Sequence, residues 1–159
     1  MSVVIKWSVI LTVLVAIVSV IINVTGLHKS PVAGGLGFIV LALLINLGVI
    51  VLALKETAAR NAYGAQLLNG VLIGLVAGVL ILLTSWVLTT VIFPDTLDEM
   101  KEGYIAFFES TGLPADQVAT QIEALEQQTP FRQALNGLIG TFFTSAIGAA
   151  IIGIFLRRK

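Results

Sequence analysis

Long apolar runs alternate with short polar connections along most of this chain, and only the stretch from Asp95 to Arg132 is long and polar enough to live in water. The runs cover about 7–27, 36–54, 67–93 and 131–156, each near or above the ~20 residues that carry an α-helix across a ~30 Å hydrocarbon core. The first follows Lys6 and is too long and unbroken for the apolar region of a signal peptide, so it reads as an uncleaved anchor. Pro31 and the Gly34–Gly35 pair punctuate a short turn, which makes the first two spans antiparallel neighbours. Pro94 should stop or kink the third run, while Thr129 and Pro130 read as an N-cap and a first-turn proline opening the fourth.

Within the polar stretch, Leu97, Met100, Tyr104, Phe107 and Phe108 share one side, opposite Asp98, Glu99, Lys101, Glu102 and Glu109. Gly112 and Pro114 mark a stop and a restart, after which Val118, Ile122 and Leu125 follow i, i+4, i+7. Two helices, each with one narrow apolar face, predict an extramembrane acidic helical hairpin over 95–130 that closes on itself or lies on the membrane surface. The expected fold is an all-α integral membrane protein with a single membrane domain over 1–159. It is a four-span antiparallel helical bundle with an amphipathic helical hairpin between spans three and four.

Small residues form rows on the spans. Gly70, Gly74 and Gly78 recur every fourth residue in the third, and Gly137, Thr141, Ser145, Ala149 and Gly153 do so in the fourth, beside a second row of Gly140, Thr144 and Gly148. The first span carries a comparable stripe of Ser8, Thr12, Ala16, Ser19 and Asn23. Such rows let helix backbones approach closely where lipid supplies no hydrophobic gain for association, so these are the expected helix-packing residues. The surface on the fourth span exceeds what one partner helix needs, which makes that span central or part of an oligomer contact. Asn23, Asn46, Asn69 and Asn136 give each span one amide. Asn23, Asn46 and Asn136 are expected to hydrogen-bond between helices, because an amide without a partner is costly in an apolar interior, and their depths look too scattered for one binding site.

Composition turns this pattern into a location. With 57% hydrophobic and 11% charged residues, and a mean hydropathy of +1.03, a water-soluble domain of this length could not hide its apolar surface. The formal net charge of zero conceals an uneven distribution. With the N-terminus inside, Lys6, Lys55, Arg60, Arg157, Arg158 and Lys159 face the cytoplasm, against Lys29, Lys101 and Arg132 outside. That excess predicts cytoplasmic N- and C-termini, which in a bacterial cell would be those of a multi-pass inner-membrane protein. Charge here reports topology, so nucleic acid is not an expected partner; the lipid bilayer is, with room for a homo-oligomer or a larger membrane complex.

The chain offers little chemistry. It has no cysteine and one histidine, which excludes thiolate catalysis and Cys- or His-rich metal sites, and it carries no catalytic constellation or cofactor motif. No enzyme, cofactor or metal is therefore expected. Asp95, Asp98, Glu99 and Glu102 at i, i+3, i+4 and i+7 could gather Ca²⁺ or Mg²⁺, but without a glycine turn they read as a solvated acidic face near a helix start. His28 reads as a solvated turn residue, and Trp7 and Trp86 as interfacial anchors. Apart from Arg132 at the very start of the fourth, no Asp, Glu, Lys or Arg lies inside any span, which argues against an ion-coupled transporter.

The short basic turn from Lys55 to Gly64, the Pro94–Asp95 exit and the insert ending Gln121, Ile122, Glu123, Ala124, Leu125, Glu126, Gln127, Gln128 carry a resemblance. So do the Pro130–Phe131 start of the last span and its close on Phe155, Leu156, Arg157, Arg158 and Lys159. Together they resemble the small four-span bacterial membrane protein family classed as a domain of unknown function (numbered 4199). The resemblance implies a fold and a membrane, and no activity or site residues. The expected function is a non-catalytic scaffold or accessory subunit, with a component of a small-solute channel or transporter as the alternative. A dry interface of small residues would favour the first, and a polar cavity reaching mid-membrane the second.

Overall fold

The computed structural model describes residues 2–156; the basic end Arg157, Arg158 and Lys159 lies outside them. Six α-helices follow one another: α1 Val3–Val24, α2 Gly37–Thr57, α3 Tyr63–Val87, α4 Thr96–Ser110, α5 Ala115–Glu126 and α6 Pro130–Phe155. Among the described residues there is no strand. A π-helical turn over Pro31–Leu36 runs straight into α2, and another over Leu88–Ile92 lengthens α3. The four apolar helices therefore extend over 22, 27, 30 and 26 residues, long enough to cross a bilayer. Ile39, Leu44 and Ile147 are each well over half exposed, and only a hydrocarbon surrounding accepts such a surface while the helices satisfy their own backbone groups. This is a multi-pass membrane protein.

Local chemistry sets the helix ends. Ser2 Oγ accepts the amide of Ile5 at 3.3 Å, so α1 starts ahead of its uncharged run, and Gly26, at φ 71°, closes it in a left-handed conformation that favours glycine. The Pro31–Gly35 stretch differs from the expected turn. Ser30 Oγ caps the amide of Ala33 at 3.2 Å, Pro31 takes the first-turn position, and both glycines sit inside the helical segment. Their role is close approach: a Cβ on Gly34 would run into the backbone of Leu27 and His28, and one on Gly35 would stand 2.6 Å from the Tyr104 hydroxyl.

α6 packs along α3 over most of its length, α1 lies on the other flank of α3, and α2 bridges α1 and α6. Leu11, Ile50, Leu54 and Ile73 are fully buried where these helices meet. At one end of the molecule, Glu56 accepts from Lys6 Nζ at 2.5 Å and from Trp7 Nε1 at 2.7 Å, joining the start of α1 to the end of α2. Trp7 is half-buried, with its ring against the core and its N–H on the exposed Glu56 carboxylate at the end of α2. Gln66, completely buried, completes this end. Its Nε2 donates to Leu54 O at 3.0 Å and Leu156 O at 2.8 Å, and its Oε1 accepts from Thr57 Oγ1 at 2.7 Å. One amide thus ties three helix ends. At the opposite end α4 crosses the segment between α1 and α2, and α5, reached through Gly112 at φ 68°, has no buried residue.

Candidate functional site

The seam between α3 and α6 is where the glycine rows meet. A Cβ on Gly74 would lie 2.5 Å from Ser145 Cβ, one on Gly78 would lie 3.1 Å from Leu138 O, and Gly70 faces Ala149 just as closely. Gly137 passes Ile81 and Gly153 passes the Tyr63 ring, each at 3.5 Å from a would-be Cβ. As α3 residue numbers rise, their α6 partners fall, so these two helices run in opposite directions. Asn46 of α2 joins the seam from the side: its Nδ2 donates to Thr141 O at 3.2 Å and its Oδ1 accepts from Ser145 Oγ at 2.9 Å. Each polar atom of the amide thus has a partner on α6, as a polar group at this depth requires.

From Asn46 toward α4 the helices part. α2 meets α6 at Asn46 and Ser145 and again where Leu47 fills the space left by Gly148. Beyond these contacts Ala42 on α2 and Gly137 and Gly140 on α6 are too small to close the gap. The result is a cavity of about 470 Å³ bounded by α1, α2, α3 and α6 and roofed by α4, within the ~300–1,000 Å³ range of small-molecule sites. The second small-residue row thus divides its work: Gly148 packs against α2, while Gly140 and Thr144 line the cavity.

Asn23, Asn46 and Asn136 all line this one space, contrary to the expectation that they were too scattered to share a site. The cavity is deep enough to run from the α4 end, where Asn23 and Asn136 lie, to Asn46 about halfway along its helix. Asn69 is not on its wall. Both polar atoms of Asn23 have a partner, with Nδ2 donating to Ser19 O at 2.8 Å and Oδ1 accepting from Thr96 Oγ1 at 2.5 Å. Gln133 also lines the cavity, but its Oε1 has almost no accessible surface and no hydrogen-bond partner among the described residues.

α4 is held over the cavity by its first two turns. His28, buried and on the wall, donates from Nε2 to Glu99 at 2.8 Å, and Lys29 Nζ reaches the other Glu99 oxygen at 3.1 Å. The hydrogen bond from His28, followed by that from Lys29, holds the Glu99 carboxyl below its ordinary value of 4.5. Burial against Gly35 raises the Tyr104 phenol above its ordinary value. His28 is therefore a docking residue and not a solvated turn residue. The acidic face is likewise not free along its length, because Glu99 is committed to His28 and Lys29. Among the described residues no three His, Cys, Asp or Glu side chains converge as a metal site would need.

Gln66 and Gln133 were missed as sites, yet the rows pointed to both. Gln66 stands four residues before Gly70, and Gln133 four before Gly137, so each is the first step of a glycine row carried into the bundle with it. Periodicity alone could have found them; which partners they meet could not be read that way.

No curated protein and no solved structure matches this chain. The family model described as "Protein of unknown function (DUF4199)" matches residues 6–158, nearly the whole sequence, and the chain belongs to that family.

Proposed function

We propose that this protein is a non-catalytic binding component of a small-solute channel or transporter, which takes a small molecule into the cavity beneath α4. The observation that carries this reading is the cavity itself: one space reaching from the α4 end to Asn46. The small-residue rows of α3 and α6 that supported the scaffold reading do pack closely on each other and on α2, so the cavity that reaches mid-membrane is what favours binding. In this proposal the four spans form an antiparallel bundle in the bacterial cytoplasmic membrane, both termini are cytoplasmic, and α4 and α5 make a helical hairpin outside. The excess of Lys and Arg on the inner side supports that orientation.

The absence of native cysteine makes the test direct. In intact spheroplasts a membrane-impermeant thiol reagent should label Glu123→Cys and not Arg60→Cys. N-ethylmaleimide, which needs an ionising and therefore wetted thiol, should modify Ala42→Cys on the cavity wall faster than Leu44→Cys on the exposed face of the same helix. Reversed labelling of the first pair would refute the orientation, and equal rates in the second would refute a cavity open to solutes.

A further inference from the structure

We infer that the cavity is filled from the bilayer: an uncharged, lipid-dissolved molecule enters sideways between α2 and α6, while α4 keeps the aqueous end covered. This rests on the binding reading above and adds the ligand's class and its route. Three features of the wall carry it.

The first is where the wall is open. Among the described residues that line the cavity, only Ile39 and Leu43 on α2 and Asn136 and Gly140 on α6 are exposed. Each pair is spaced by one helical turn, so the two pairs form the lips of a slot. A Cβ on Gly140 would meet nothing within 4 Å, whereas further along Ser145 is bonded to Asn46 and Leu47 fills the space left by Gly148, which ends the slot. Asn136 and Gly140 lie roughly 9 and 15 Å along α6 from its start, at about 1.5 Å per residue, and their neighbours Ile139 and Phe143 are exposed. The opening therefore faces hydrocarbon.

The second feature is the cover. At the α4 end of the wall His28 and Thr96 are buried, and Met100 and Tyr104 are half-buried. Thr96 on Asn23 and Glu99 on His28 and Lys29 fasten α4 there, and the crossing is so close that a Cβ on Gly103 would run into the Lys29 carbonyl. The third is charge. Among the described residues no Asp, Glu, Lys or Arg lines the cavity, and its single imidazole, His28, has its Nε2 committed to Glu99. A carboxylate or ammonium brought into such a space would lose its hydration without gaining a counter-ion, which is far costlier than burying a neutral group. Ser85, Tyr104, Asn136 and Thr144 line the space with no side-chain hydrogen bond among the described residues, spread from beneath α4 to the level of Asn46. Hydroxyl and amide groups both donate and accept, so the wall serves a neutral polar group of either kind and singles out no one head group.

The test uses the full chain carrying Ala42→Cys in phosphatidylcholine vesicles. N-cyclohexylmaleimide, uncharged and lipid-soluble, should modify this thiol more than about tenfold faster than a water-confined stilbene disulfonate maleimide, each rate taken relative to Glu123→Cys at the α4 end. Gly140→Phe puts a ring in the slot and should slow the uncharged reagent several-fold; Leu43→Trp does so from the other lip and stands in if the first variant fails to insert. Gly48→Phe, where a Cβ also meets nothing within 4 Å but which lies off the cavity wall, should change nothing. For the ligand class, 1-decanol and 2-undecanone should each protect the thiol, whereas decyl sulfate and decyltrimethylammonium at matched concentrations should not. Equal protection by the charged pair would overturn the ligand class. A disulfonate rate equal to that of the uncharged reagent, or an unchanged rate in the inserted lip variants, would overturn entry from the bilayer. Failure of Ala42→Cys to react with either maleimide would instead overturn the cavity reading beneath it.

Discussion

Adding one methyl group at Gly74 probes the seam on which the bundle depends. The new Cβ of Gly74→Ala would lie 2.5 Å from Ser145 Cβ, 2.9 Å from Ser145 Oγ and 3.3 Å from Phe142 O. Carbon atoms pack at about 3.5–4.0 Å, so α3 and α6 must separate by roughly 1 Å; both nearest carbons are fixed to backbone, and no rotamer relieves the contact. Separation also strains the Ser145–Asn46 hydrogen bond, so α2 is disturbed with the pair. Gly48→Ala is the matched control, because a Cβ there meets nothing within 4 Å. Both changes gain the same helix propensity, up to about 1 kcal/mol. Their difference isolates overpacking, about 1–3 kcal/mol. At about 2–4 °C for each kcal/mol, Gly74→Ala should melt several degrees below Gly48→Ala in mild detergent. Equal melting temperatures would refute the claim that α3 and α6 are held by close backbone approach.

Gln66→Leu should cost about 1–3 kcal/mol for the buried partners it strands at the ends of α2 and α6, read as a lower melting temperature; an unchanged value would mean the three helix ends do not rely on that amide. Acidification should release α4. The Glu99 carboxyl is held below 4.5, so its stabilising contribution is complete above that pH and is lost as pH falls through the depressed value. Pepsin cleavage of α4 in vesicles should therefore accelerate on acidification in the wild type, while Glu99→Gln should start looser and respond less. Identical pH responses would exclude Glu99 as the group that fastens the helix.

Much of the membrane portion was legible because its signals are local and periodic. An apolar run of helical length announces a span, and a glycine every fourth residue announces a contact face. What such a row touches is not local: nothing in the spacing of Gly140 and Thr144 says that α2 swings away from them, so the cavity was invisible and the asparagines around it looked unrelated. His28 was misread for a similar reason. Its neighbours in sequence are a lysine and a turn, and its partner Glu99 lies on a helix that only the fold brings across it. The Gly34–Gly35 pair shows that one residue type can answer two demands, since glycine marks a flexible turn and a close crossing alike.

The knot of Lys6, Trp7 and Glu56 has a mechanical counterpart in the emptiness at the opposite end. With Gln66 it clamps one set of helix tips, whereas at the other end α2 stands off α6 across a hollow that α4 covers. The molecule therefore has the build of tongs, pivoting where Asn46 grips Ser145. Local opening is cheapest where few buried contacts must be broken, so the jaws are expected to open before the handles. Anything seated between the jaws would stiffen them by mass action, and a change at the mouth would be felt at the pivot without the clamped tips having to move.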